Sequence, residues 1–182
     1  MANEGLTGYC EISLGDPYHG PYHDLEYGFP VTDDNVLFER LILEINQAGL
    51  SWLTVLKKRK AFQIAYDHFD IERVAAYGNL DRQRLLNNSG IIRNKRKIEA
   101  AIENANRIMF LKSQCGSFND WLKVNHPRDK LSWVKLFKDT FVFTGIEITN
   151  EFLLSLGYLP GAHCPSCPVG KRIARLNPPY LR

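Results

Sequence analysis

Helical periodicity between residues 33 and 156 constrains this sequence more than any other feature. Apolar residues recur there at the three- and four-residue spacing of one helix face. The first stripe follows a capping residue at Thr32, Asp33 or Asp34 and consists of Leu37, Phe38, Leu41, Ile42 and Ile45. The pattern predicts helices over about 33–49, from Ser51, and over 61–68, 71–77, 81–88, 94–111, 118–124, 131–137 and 144–156. Period-two alternation is confined to residues 141–143, so we expect an all-α fold.

The two ends of the chain differ from this helical middle. The first thirty and last twenty residues are rich in Gly, Pro, Tyr, Cys and His and show little periodicity, so we expect them to be irregular. Cys10 and His23 lie in the first segment, and His163 and Cys167 lie in the second. Thiolate and imidazole are the ligands that zinc takes in closed tetrahedral sites. Such a site would join two chain ends that would otherwise fray. The alternative is that the four residues are unconnected polar residues in loops, since their spacing alone does not exclude this.

Cys164 complicates the assignment, because it forms a C-x-x-C pair with Cys167. Such a pair can bind zinc or act as a redox dithiol. The redox function requires a strand–helix–strand context, and the periodicity shows none. A thiol-redox protein therefore remains the weakest of the functional hypotheses.

The length of the chain predicts one domain, and its charge does not decide which partner it binds. We expect a single domain over 1–182, with a helical core at about 33–158 and terminal segments at 8–30 and 159–170. No apolar run is long enough to span a membrane, and the N-terminus lacks signal-peptide features, so we expect a cytoplasmic protein. Basic clusters lie at 57–60, 93–97 and 171–182 within a net charge of only +3. They are either solvated helix ends or contacts to a phosphate backbone.

One carboxylate and several aromatic residues are candidates for a binding pocket. Glu44 lies at the margin of the apolar stripe of the 33–49 helix, either at its solvent edge or facing a cavity. Trp52 follows a helix stop at Gly49, and Tyr22 and Tyr27 lie in the aromatic N-terminal segment. Aromatic faces combined with a carboxylate can bind a flat cationic ligand, although aromatic residues near loops more often serve packing.

Together these residues resemble the 3-methyladenine DNA glycosylase I family of the helix-hairpin-helix glycosylase superfamily. The resemblance extends from Tyr9 to Cys167. Its most specific blocks are 16–17, 22–24, 26–28, 47–52, 54–59, 90–93 and 97–98. Their register along the chain also matches the family.

The resemblance implies a set of functional residues. Its structural zinc ligands fall on Cys10, His23, His163 and Cys167, which leaves Cys164 outside the site. Its recognition carboxylate falls on Glu44. The implied base-binding residues are Tyr22, Trp52 and Tyr27, and the implied DNA contacts are Gln47, Gly49 and Leu50 with Thr144 and Gly145 of a hairpin at 141–148.

The implied reaction is hydrolysis of the N-glycosidic bond of 3-methyladenine in double-stranded alkylated DNA after base flipping. Methylation at N3 makes the base a cation and a good leaving group, so recognition matters more than acid catalysis. The chain has no aspartate after Asp139, although many members of the superfamily use one there. We therefore expect a monomeric, monofunctional enzyme that releases free 3-methyladenine and has little activity on neutral lesions.

Several positions depart from the family pattern. Ile12 and Tyr27 stand where tryptophans are usual, Asn46 where a glutamine is usual and Thr140 where a glycine is common. Glu147 adds a carboxylate to the segment that faces phosphates, where it would oppose binding. These changes keep open an alternative function, a paralogue that binds DNA or a methylated purine without excising it.

Overall fold

A computed structural model describes residues 5–182, and the regular structure in that part of the chain is entirely helical. The expected all-α fold is therefore confirmed. The α-helices are α1 (Tyr9–Ile12), α2 (His19–Leu25), α3 (Asp34–Gln47), α4 (Trp52–Ala65), α5 (Ile71–Ala75), α6 (Asn79–Asn87), α7 (Lys95–Cys115), α8 (Phe118–Val124), α9 (Lys130–Thr140), α10 (Ile146–Ser155) and α11 (Pro168–Ala174). Short 3₁₀ helices span Asp67–Phe69 and Pro179–Leu181. The first four residues, which entered the signal-peptide expectation, lie outside the described residues.

The chain divides into two compact units. The middle unit comprises Val31–Thr149, and the terminal unit combines the residues up to Pro30 with Asn150–Arg182. The boundary therefore falls inside α10. The expectation of a single domain over 1–182 stays a prediction.

The middle unit is organised around α7, which packs against α3, α5, α6 and α8. The sequence predicts an apolar stripe on this helix, formed by Ile98, Ala101, Ile102, Ala105, Ile108 and Met109. All of these residues are buried except Met109, which is half-buried at the edge of the stripe. The helix begins where the Asn94 side chain accepts a hydrogen bond from the Lys97 amide, and it ends at Gly116, whose φ of 93° favours glycine.

Local capping explains where the functional helices begin. The Asp33 carboxylate accepts hydrogen bonds from the amides of Asn35 (2.8 Å) and Val36 (3.0 Å), and α3 starts at the next residue. Ser51 caps α4 by accepting from the Thr54 amide at 3.2 Å. The separate helix predicted at 61–68 is wrong, because α4 continues to Ala65. The basic run at 57–60 has good helix propensity and contains no residue that would stop the helix.

The terminal unit contains more helix than the sequence predicts. The expectation of irregular ends is wrong at α1, α2 and α11, although these helices have only four to seven residues. The sequence does not predict α2, because Gly20 and Pro21 are residues that usually interrupt helices. Proline is tolerated here because it lies in the first turn, where amides lack helical partners. Pro168 opens α11 for the same reason. Among the described residues, no helix is long and apolar enough to cross a membrane.

Candidate functional site

Cys10, His23, His163 and Cys167 come together inside the terminal unit, with their ligand atoms all within 4.8 Å of one another. His23 Nε2 lies 3.1 Å from His163 Nδ1, and Cys167 Sγ lies 3.5 Å from that nitrogen. Cys10 Sγ is 3.7 Å from His163 Nδ1, and Cys167 Sγ is 3.7 Å from His23 Nε2. Both thiols and His23 are buried, and His163 is half-buried. The cluster could hold a metal ion.

The outer nitrogens of both imidazoles are already engaged. His23 Nδ1 lies 2.7 Å from the Asp24 carboxylate, and His163 Nε2 lies 2.7 Å from the Tyr27 carbonyl oxygen. Donation from these nitrogens leaves the lone pairs of the inner nitrogens facing the cluster, as a metal ligand requires. Burial lowers the pKa of His163, which favours its neutral form. Sequence reasoning found the four residues but missed these orienting partners.

Cys164 lies beside the cluster and outside it. Its backbone amide donates to Cys10 Sγ at 3.4 Å, while its own thiol pairs with Ser166 Oγ at 3.4 Å. The hydrogen bond to Ser166 lowers the pKa of the Cys164 thiol to about 7. The described residues contain no strand, so the strand–helix–strand context of a redox C-x-x-C motif is missing there.

Tyr22 and Tyr27 belong to an aromatic cluster in the terminal unit. Both are buried, at 4% and 8% exposure, and their ring centroids lie 5.8 Å apart. Tyr9, which sequence reasoning did not single out, packs edge-on against both rings at 6.5 and 5.2 Å. The Tyr27 hydroxyl donates to Glu151 Oε2 at 3.1 Å. Tyr22 precedes His23, and the Tyr27 carbonyl binds His163, so both tyrosines are tied to the Cys/His cluster.

Glu44 lies in the last turn of α3 in the middle unit. It is only 5% exposed, so the alternative that placed it at the solvent edge of the helix is wrong. A carboxylate is seldom buried to this extent without a specific role, because loss of water disfavours its charge. Trp52, the first residue of α4, is half-buried.

The loop between α3 and α4 projects Gly49 and Leu50 into solvent. Gly49 has a φ of 79°, and a Cβ built on it would meet no atom within 4 Å. Leu50 is 40% exposed, and its amide donates to the Gln47 carbonyl at 2.7 Å. The backbone of the loop is therefore held by a hydrogen bond, while Gly49 and Leu50 remain accessible to a large ligand.

The hairpin between α9 and α10 is fixed by a side chain of α7. Asn104 Nδ2 donates to the Val142 carbonyl at 3.0 Å, and the Val142 amide donates back to Asn104 Oδ1 at 2.9 Å. The Thr144 hydroxyl donates inward to the Phe137 carbonyl at 2.9 Å, and its side chain is buried. Any DNA contact of Thr144 is thereby limited to its backbone, whereas Gly145 is partly exposed. Sequence reasoning missed Asn104.

Positive charge is concentrated in the middle unit. It holds 19 of the 23 lysines and arginines but 14 of the 20 acidic residues. Within the predicted basic cluster at 57–60, Lys58 donates to the Ser89 and Gly90 carbonyls at 3.1 Å, and Arg59 pairs with Glu39 at 2.8 Å. Half of that cluster therefore supports the fold, while Lys57 and Lys60 are exposed.

Comparison with known proteins identifies related sequences and structures. A family model described as methyladenine glycosylase matches residues 13–132. The chain is 45% identical to DNA-3-methyladenine glycosylase 1 of Escherichia coli (strain K12), over 87% of this chain and 94% of the relative. It is 37% identical to DNA-3-methyladenine glycosylase of Haemophilus influenzae, over 81% and 89% of the two chains.

Two solved structures resemble it closely. One is 3-methyladenine DNA glycosylase I from Staphylococcus aureus, with a TM-score of 0.81 and 32% identity over 91% of this chain and 98% of that one. The other is a tyrosine-to-phenylalanine variant of a 3-methyladenine DNA glycosylase I in complex with 3-methyladenine. It has a TM-score of 0.81 and 31% identity over 90% and 98% of the chains.

Proposed function

The chain belongs to the methyladenine glycosylase family, and on this premise we propose that it releases 3-methyladenine from alkylated DNA by hydrolysing the N-glycosidic bond. It is thus a base-excision repair enzyme. The observation that carries the proposal is the buried carboxylate of Glu44, which lies one turn before an exposed glycine loop. Such a group can select a cationic base, which is what distinguishes 3-methyladenine from adenine.

The proposed chemistry begins with extrusion of the damaged nucleotide from the duplex, because its reactive atoms are inaccessible inside the stack. The Glu44 carboxylate then attracts the cationic base and accepts hydrogen bonds from its edge. Burial strengthens this attraction, since little water screens the two charges. The positive base departs as neutral 3-methyladenine with the electrons of the N-glycosidic bond, and water adds to the resulting sugar cation and releases one proton to the solvent. Charge recognition therefore replaces protonation of the leaving group.

Aromatic stacking on the base is assigned to Trp52, Tyr22 and Tyr27, the positions that the family resemblance implies. The face of an aromatic ring attracts a cation and packs against a flat base. The hydrogen bond from Tyr27 to Glu151 holds its ring in one orientation. The Cys/His cluster supports Tyr22 through the adjacent His23, and it supports Tyr27 through the contact between His163 Nε2 and the Tyr27 carbonyl oxygen.

Binding of double-stranded DNA is assigned to two surfaces of the middle unit. The first is the 47–50 loop, where Gln47, Gly49 and Leu50 are partly or fully exposed. The second is the hairpin, where the backbone of Thr144 and Gly145 precedes α10 and can bind a phosphate. The excess of basic residues in this unit favours the same polyanion. The enzyme acts as a monomer in this proposal.

Zinc is the metal that suits the Cys/His cluster best. Tetrahedral zinc with Zn–N and Zn–S bonds of about 2.0 and 2.3 Å separates two nitrogens by about 3.3 Å and a nitrogen from a sulfur by about 3.6 Å. The corresponding distances here are 3.1 Å and 3.5–3.7 Å. When bound, zinc would cross-link the two chain ends and have no open position for a reactant. Burial raises the pKa of Cys10 to about 12, so binding must displace its proton.

The proposal is tested by measuring release of free base from methylated duplex DNA carrying 3-methyladenine and 7-methylguanine. We expect the wild-type protein to release 3-methyladenine and the Glu44→Gln variant to release it much more slowly, at a residual measurable rate, while remaining folded. Glu72→Gln, at an exposed glutamate of α5, serves as the matched control and should behave as wild type.

Two results would contradict the proposal. Wild-type release by Glu44→Gln would remove Glu44 from its role. No release by a folded, metal-loaded wild-type protein that still binds the DNA would favour the alternative, a binding protein in which changes such as Ile12 and Tyr27 have abolished excision.

A further inference from the structure

Lys97 is a buried lysine near the start of α7, and the proposed function gives it no role. Its side chain is 5% exposed. Its ammonium donates to the Asn46 carbonyl at 2.8 Å and to the Ala48 carbonyl at 2.7 Å. Its own backbone is fixed, because its amide donates to the Asn94 side chain at 3.2 Å. The first turn of α7 thus places the Lys97 ammonium against the C-terminal end of α3.

The two acceptors of Lys97 mark the point where α3 ends. The last carbonyls of a helix have no partners within the helix and form its negative end. Asn46 lies in the last turn of α3, and Ala48 is the residue at which the backbone turns to an extended conformation, with ψ of 117°. The ammonium therefore caps the C-terminus of α3 and fixes the direction in which the chain leaves it.

Burial of the Lys97 ammonium costs free energy that a helix cap exposed to solvent would not cost. Removing an ammonium from water disfavours its charge, and burial accordingly lowers the pKa of Lys97. Lys58 provides a comparison, since it makes the same kind of bonds to the Ser89 and Gly90 carbonyls from a less buried position. Lys58 shows that a lysine can bind two backbone carbonyls without being buried as deeply as Lys97.

Glu44 lies in the turn that the Lys97 ammonium holds. Residues 44–47 form the last turn of α3, which would be the first to fray without a cap. We propose that Lys97 is a positioning residue that keeps this turn helical and so keeps the Glu44 carboxylate aimed at the methylated base. It also sets the start of the loop that leads to Trp52. This inference rests on the proposed function of Glu44.

The test compares single-turnover release of 3-methyladenine at saturating enzyme in the wild type and in Lys97→Met, which removes the donors while retaining the chain length. Misplacement by about 1 Å costs on the order of 100-fold in rate, so we expect a decrease of about 10- to 100-fold. The dissociation constant for DNA should change much less than the rate, since the Lys97 ammonium is buried and does not itself reach a phosphate. Lys97→Arg, which retains the charge and the donors, should recover most of the rate.

A second comparison asks whether Lys97 acts through Glu44. If it does, Lys97→Met should cause no further loss in a Glu44→Gln background, because the two changes are then non-additive. Lys112→Met, at a partly exposed lysine of the same helix, is the matched control and should retain the wild-type rate. Thermal melting establishes that each variant is folded at the assay temperature.

The outcomes separate this inference from the function on which it rests. A wild-type rate in folded Lys97→Met, or an equal loss in both backgrounds, would overturn the positioning role while leaving Glu44 in place. A wild-type rate in Glu44→Gln would instead overturn the proposed function. If Lys97→Met does not fold, Lys97→Gln replaces it as a neutral variant with a remaining donor. Its rate should also fall, and a wild-type rate would refute the inference.

Discussion

Replacing Asn104 by alanine should destabilise the hairpin between α9 and α10. The side chain is completely buried and makes two hydrogen bonds, of 3.0 and 2.9 Å, to the carbonyl and amide of Val142. Alanine would leave both backbone groups without these partners. An unsatisfied buried polar group costs about 1–3 kcal/mol. Because Val142 is itself only half-buried, water can reach part of the gap, and we expect a total loss of about 2–3 kcal/mol.

Thermal unfolding followed by circular dichroism measures this loss. For a chain of this length, 1 kcal/mol corresponds to about 2–4 °C, so the melting temperature should fall by about 4–12 °C. Asn106→Ala is the matched control, because Asn106 lies on the same helix and also donates to two carbonyls, but from an exposed position. Its variant should melt within about 2 °C of the wild type, since exposed groups can bind water instead.

The same variant tests the link between the hairpin and DNA. At a temperature where Asn104→Ala is folded, its DNA affinity should be lower than that of Asn106→Ala, because the hairpin backbone is no longer fixed. Equal melting temperatures for the two variants would refute the structural argument. Equal DNA affinities combined with the expected loss of stability would refute the role of the hairpin in binding.

Two further predictions concern the metal cluster and a buried phenol. Cys167→Ser should lose about one equivalent of zinc and melt at a lower temperature, whereas Cys164→Ser, outside the cluster, should keep the metal; equal metal contents, measured by atomic emission, would contradict the ligand assignment. Burial raises the pKa of Tyr66, so the folded chain retains a proton that the unfolded chain releases above about pH 10. Stability should therefore fall as the pH rises above 10, and Tyr66→Phe should show a shallower decline in urea unfolding; parallel curves for the two proteins would count against this assignment.

The sequence by itself determined the features that depend on neighbours along the chain. The stripe on α7, the cap at Asp33 and the start of α4 at Ser51 all follow from periodicity and short-range hydrogen bonding, which operate within a few residues. Residue chemistry also pointed to Cys10, His23, His163 and Cys167, because few side chains bind zinc. The helices α1, α2 and α11 escaped prediction, since elements of four to seven residues are too short to show a period.

Only the tertiary structure decided how buried polar groups are paired. Lys97 caps a helix that ends about fifty residues earlier, and Asn104 holds a backbone segment almost forty residues later. Such partners are chosen by packing, which no local pattern encodes, because any surface lysine or asparagine has the same appearance in sequence. The burial of Glu44 was decided in the same way. A residue at the margin of an apolar stripe can face solvent or the interior, and only the elements packed against it determine which.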